Sequence, residues 1–162
     1  MSWALPTSDA ELLELAKTYP FAAPRGSYLF RAGTAEPLGA GTPNDALFSG
    51  RTPVIAHGSN RAPAHLKRKY GTAAEIPVSR AWLADYDVVY SAHVTQYGAI
   101  GANLQHTPGA RVEVFVTWLD GAQLERMHAT ELGNERYRYG RLEAVDLVLE
   151  AGPAAGIDTA AV

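Results

Sequence analysis

"VFVTWLDGAQLERMHATE", residues 114–131, holds a strand and a helix back to back. With the two residues ahead of it, the first half alternates. Val112, Val114, Val116 and Trp118 share one face, and Glu113, Phe115 and Thr117 take the other. Asp120 and Gln123 then stand at capping-box spacing, and a helix is predicted to about Leu132, with Gly133 as its stop. Leu124, Met127 and Glu131 fall at i, i+3 and i+7, so a carboxylate lies in line with the apolar stripe. A carboxylate there either reaches the helix end and water or is partly buried. The helix dipole disfavours an anion in the last turn, and burial adds desolvation. Both raise its pKa, the direction a general base near neutral pH requires.

A second stretch, "VIAHGSNRAPAHLKRKYG", residues 54–71, has the reverse interest. Val54, Ile55 and Ala56 read as a short buried strand. Pro63 suits the first turn of a helix to Tyr70, with Gly71 as its stop. Gly58, Ser59 and Asn60 sit at the corner between them. Elsewhere, Tyr86, Val88 and Tyr90 alternate as a strand does, "GAIGANLQ" at 98–105 reads as another, and Thr107-Pro108-Gly109 as a turn. Residues 137–152 hold one or two strands.

The first fifty residues differ. Ser8 and Glu11 have capping-box spacing, and Leu12, Leu13, Leu15 and Ala16 make a stripe that Pro20 ends. Glycines and prolines then punctuate a stretch with a short strand expected at Ser27–Phe30. Residues 1–50 therefore read as a helix and wrapping arm, 51–151 as the main domain and 152–162 as a flexible tail. Many strands with two or three helices argue for an α+β fold built on a mixed sheet or barrel.

Composition narrows the function classes. A chain of 162 residues, 47% hydrophobic, buries a sizeable core as one domain. No apolar run approaches membrane-spanning length, and no basic leader precedes an apolar segment, so a cytoplasmic protein is expected. With no cysteine, disulfides, thiolate metal sites and a cysteine nucleophile are excluded. A net charge of −3 without long charged blocks makes nucleic acid and membrane poor partners. The basic cluster Lys67-Arg68-Lys69 reads as a solvated helix face.

The two stretches together resemble the γ-glutamylcyclotransferase-like family, over about Thr52 to Val148. That family's first strand ends in a Tyr-Gly-Ser-Asn type loop, matched by His57-Gly58-Ser59-Asn60 except at its first position. "GAIGANLQHTPGARVEVFVTW" resembles the family's strand, Pro-Gly turn and long strand. "LDGAQLERMHATE" resembles the helix that ends in its catalytic glutamate, which falls on Glu131. A tyrosine opening the next strand has counterparts in Tyr137 or Tyr139. The resemblance implies a compact mixed β-barrel with helices, and the cyclisation of a γ-glutamyl group to 5-oxoproline with release of an amine or amino acid. The substrate is a small molecule whose own α-amine attacks the γ-carbonyl, so neither a cofactor nor a metal is implied. Glu131 takes the proton, and the backbone N–H groups of Gly58, Ser59 and Asn60 face the substrate oxygens. His57 and Tyr139 belong to the implied substrate site, and Tyr97, beside Gly98, is a candidate lining residue.

Other readings compete. A Ser59–His57 hydrolase pair is disfavoured because adjacent residues rarely bring Nε2 onto Oγ. The five histidines show no His-x-His or His-x-x-x-His spacing, so a metal site is not expected. Arg61 serves equally as a carboxylate ligand or a solvated helix-start residue. A non-catalytic binding or assembly module on the same scaffold is the alternative. A buried Glu131 favours the enzyme, and a site filled by the N-terminal arm favours the module.

Overall fold

A computed structural model describes residues 5–39, 45–131, 139–153 and 159–161. One long hairpin organises it. Strand β4, Ile76–Val94, runs antiparallel to β5, Ile100–Leu119. The hairpin turns at residues 95–99, where Thr95 N–H donates to the Ala99 carbonyl at 2.7 Å and Gly98 takes φ 89°. Around it lie β1 (Tyr28–Arg31), β2 (Thr34–Pro37), β3 (Thr52–Ala56), β6 (Arg141–Glu143), β7 (Leu147–Leu149) and β8 (Thr159–Ala161). The sheet runs β2-β1-β4-β5-β3-β8-β6, with β7 on β4 beyond β1. It is mostly antiparallel, with one parallel pair, β3 and β8. The fold is α+β as expected, but the sheet does not close into the barrel that the resemblance implied. Its path ends at β2 on one side and β6 on the other.

Thr107-Pro108-Gly109 does not turn the chain. Residues 107–110 bulge out of β5 opposite Asp85 alone, between the pairs Tyr86–His106 and Ala84–Arg111. Pro108 has no N–H for the ladder, and Gly109 adopts φ 81°, so the strand bulges where a turn was expected. Asp85 Oδ1 accepts the Gly109 N–H at 2.7 Å and fastens the bulge.

The alternation of β5 sorts two apolar clusters. Val114, Val116 and Trp118 join Phe48, Ile55, Ala81, Leu83 and Leu147. Phe115 and Leu119 join Tyr28, Phe30, Val54, Ile76, Val78, Leu66 and Met127. Leu66 lies on α3, Pro63–Tyr70, and Met127 on α4, Gly121–Glu131, so both helices reach this second cluster. The capping box of α4 forms as read: Asp120 Oδ1 accepts the Gln123 N–H at 2.9 Å, and Gln123 Oε1 accepts the Asp120 N–H at 3.1 Å. Its expected end at Leu132–Gly133 lies outside the described residues.

The N-terminal helix α1 spans Asp9–Lys17, capped by Ser8. The arm after it enters the sheet as β1 and β2, and a single helical turn, α2 (Asp45–Phe48), brings Phe48 onto Trp118. The expected tail contributes β8, paired with β3 and β6. Among the described residues no helix is long and apolar enough to cross a membrane.

Candidate functional site

Strand β3 ends at Ala56, and the chain passes through His57 and Gly58 into one 3₁₀ turn, Ser59–Arg61. Helix α3 follows, so residues 57–61 form the corner anticipated from the sequence. Because β3 pairs with β5, and β5 leads directly into α4, this corner lies close to the end of α4. Glu131 closes the circuit. Asn60 Nδ2 donates to Glu131 Oε1 at 3.3 Å, across a separation of 71 residues in sequence.

Lys69, which the sequence reading left in solvent, stands at the centre. Its ammonium donates to Glu131 Oε1 at 2.5 Å, to Asn60 Oδ1 at 2.8 Å and to Met127 Sδ at 3.4 Å. The Lys69 side chain is 4% exposed and that of Glu131 27% exposed. Helix α3 buries His65, Leu66 and Lys69, while Lys67 and Arg68 are exposed. The spacing of these three residues was the overlooked signal: Lys69 follows His65 at i+4 and Leu66 at i+3, on the inward stripe.

This ion pair reverses the expected electrostatics of Glu131. Burial pushes its carboxyl upward, but the Lys69 charge and the hydrogen bonds from Lys69 and Asn60 outweigh burial, and the pKa lies below its ordinary value. The raised pKa inferred from burial and the helix dipole is therefore corrected. Burial lowers Lys69 in turn, with Glu131 opposing the shift. Both hydrogen bonds fall on Oε1, and among the described residues Oε2 receives none.

Ser59 pairs with His65 rather than His57. Its Oγ lies 3.5 Å from His65 Nε2, a loose contact. Burial first, and then the Lys69 charge, bring the His65 pKa down to about 4, so the ring is neutral near pH 7. Phe21 stacks on the His65 ring with centroids 5.8 Å apart, and the Arg68 guanidinium lies 5.2 Å from the Phe21 centroid. Tyr97, expected beside a cavity, is buried against Phe21 at 6.5 Å.

The N-terminal arm reaches the corner through Tyr19 as well. Ala102 N–H donates to Tyr19 Oη at 2.7 Å, and a Cβ on Gly58 would come within 2.8 Å of that oxygen. The close approach that Gly58 permits is thus made by Tyr19. His57 is largely enclosed; burial lowers its pKa, partly offset by its hydrogen bond with the Ala102 backbone. Tyr139 stands apart from this group, half-exposed, with its ring 4.4 Å from that of His128 one turn before Glu131. Tyr137 lies outside the described residues. Among the described residues no three His, Asp or Glu side chains gather as metal ligands would.

The structure thus brings Glu131 to Asn60, the last residue of the Gly58–Asn60 loop, with Lys69 bonded to both, His65 beside Ser59 and Tyr19 against Gly58. In comparisons with known proteins, the chain matches no family model, no curated protein and no solved structure.

Proposed function

We propose that the protein is a cyclotransferase that converts a γ-glutamyl group to 5-oxoproline and releases an amine or amino acid. The observation that carries the reading is the meeting of Glu131 with Asn60 of the Gly58–Asn60 loop at 3.3 Å. A carboxylate beside a glycine-containing loop is the inventory this reaction needs, because the nucleophile belongs to the substrate.

In the reaction the substrate α-nitrogen forms a bond to the γ-carbonyl carbon, and the bond from that carbon to the leaving nitrogen breaks. Two protons leave the α-nitrogen, one before it attacks and one as the lactam N–H forms. Glu131 takes the first and passes it to the departing nitrogen, and the second also ends on that amine, which leaves as its ammonium. Glu131 Oε2 receives the ammonium, while Lys69 on Oε1 keeps the carboxylate ionised at neutral pH. Its lowered pKa reduces basicity, so more of the acceleration must come from folding the substrate into a near-ring geometry and from stabilising the oxyanion. The backbone N–H groups of Gly58, Ser59 and Asn60 supply that stabilisation.

A second reading, a non-catalytic binding module, is favoured by one observation. Tyr19 Oη occupies the approach to Gly58, and Phe21 covers His65. Incubation with a panel of γ-glutamyl dipeptides, γ-glutamyl amines and glutathione, followed by mass detection of 5-oxoproline, separates the two. Enzymatic 5-oxoproline from any member supports the cyclotransferase. Its absence across the panel refutes it.

A further inference from the structure

The corner carries a second set of polar atoms that the reaction above leaves unassigned. His57 and Arg61 bracket the Gly58–Asn60 loop, and His57 Nδ1 and Arg61 Nε are both buried with no hydrogen-bond partner. Arg61 Nε is a donor at any pH, and a buried donor left unpaired is costly, so folded proteins keep few of them, whereas His57 Nδ1 donates or accepts according to the ring's tautomer. Among the described residues no carboxylate forms an ion pair with Arg61. Its guanidinium rests over Phe115, 5.8 Å from the ring centroid, and its carbonyl accepts the Tyr28 hydroxyl at 2.7 Å. The residue is therefore held at both ends, with Nε unused. Tyr19 adds a further donor. Its oxygen already accepts from Ala102, which leaves its own proton free to donate. The positive charge of Arg61 acts on both Tyr19 and His57, and so does the negative charge of Glu131.

A cation and an anion thus serve one loop, Arg61 next in sequence to Asn60 and Glu131 hydrogen-bonded to it. We propose that Arg61 and Tyr19, with His57 lining the same end of the loop, form a carboxylate subsite that takes the α-carboxylate of an amino-acid head group. The placement of that group's ammonium on Glu131 rests on the cyclotransferase reading; the carboxylate subsite needs no turnover. Arg61 suits the task because its planar fork fits a carboxylate with two parallel bonds.

The test uses the full chain and isothermal titration with 5-oxo-L-proline and with its carboxamide, which differ only in the carboxylate. The parent should prefer the acid by roughly 10- to 150-fold, the range for a hydrogen bond to a charged group. Arg61→Gln should bring the ratio close to one. Arg61→Lys should keep part of the preference, as a point charge without the fork, and Tyr19→Phe should reduce it several-fold. Thermal melts establish that each variant folds; should Arg61→Gln unfold, Arg61→Lys and Tyr19→Phe decide. An unchanged acid-to-amide ratio in the folded Arg61 variants, or no binding of the acid by the parent, overturns the subsite. Arg61-dependent acid binding by a protein that makes no 5-oxoproline supports the subsite and refutes the reaction. Turnover by Arg61→Gln with parental KM does the reverse.

Discussion

Removing Glu131 should cost the fold more than removing Lys69, although the two form a single ion pair. Glu131→Leu leaves an ammonium 4% exposed, with only Asn60 Oδ1 and Met127 Sδ as neutral acceptors. Stranding a buried charge in this way costs about 3–5 kcal/mol. Lys69→Met leaves a carboxylate that is 27% exposed and still accepts from Asn60. Water can reach it, and the cost should be about 1–2 kcal/mol, close to that of an ordinary charged hydrogen bond. The double variant replaces both charges with apolar groups beside Met127 and should lie nearer the parent than Glu131→Leu does. Urea denaturation at pH 7 of the four proteins gives the cycle, with a coupling of at least about 1 kcal/mol expected. Acid adds a check of sign. The carboxyl of Glu131 lies below its ordinary range when folded, so the unfolded chain takes up the proton first as pH falls. The stability it contributes is present above the ordinary carboxylate pKa and is lost as pH falls through the lowered folded value. In Lys69→Met the largest downward influence is gone and burial, which pushes the carboxyl up, is opposed chiefly by the Asn60 hydrogen bond, so this acid-dependent loss should shrink or reverse. A Lys69→Met protein less stable than Glu131→Leu, or strictly additive costs, would refute this account of the pair.

Gly58→Ala places a methyl 2.8 Å from Tyr19 Oη and should destabilise by about 1–3 kcal/mol, most of it recovered in a Tyr19→Ala background; thermal melts of the three variants check this. Gly58→Val should abolish 5-oxoproline formation in a protein that still unfolds cooperatively, whereas Ser59→Ala should retain most of it; equal rates for Gly58→Val and parent rule out the loop as a cradle. Asp120→Ala removes half of the α4 capping box and should cost about 0.5–2 kcal/mol in chemical denaturation.

The strand–helix pairs were legible because their periods are local. Alternation in 112–118, the Asp120–Gln123 box and Pro63 before α3 each specify an element without help from distant residues. The first half of β4 was not legible. Residues 76–79 are buried in succession, so no alternation marks them, and Pro77 argues against a strand. The bulge at 107–110 was hidden for the opposite reason. Thr-Pro-Gly carries the chemistry of a turn, and only the partner strand, with Asp85 at φ 60°, makes it a bulge. At the site, Glu131 and Asn60 were legible as residues, but their meeting with Lys69 was not. A lysine in a Lys-Arg-Lys run reads as solvated, and only the carboxylate arriving from α4 permits its burial. Tyr19 was invisible for a related reason. It lies in an irregular arm, 83 residues from the Ala102 amide that fixes it.

The central claim is that Glu131 takes a proton from a γ-glutamyl ammonium, and Glu131→Gln tests it most directly. The amide keeps the size of the side chain and can still accept from Lys69 and Asn60, but it has no carboxylate to receive the proton. A positioned general base contributes roughly 10²–10⁴-fold, so kcat for 5-oxoproline release should fall by about that factor while KM changes far less. The measurement is the rate of 5-oxoproline formation by mass, parent against Glu131→Gln, at saturating γ-glutamyl substrate and pH 7. A fall of that size with KM held is the predicted result; turnover by the Gln variant at the parental rate contradicts the account.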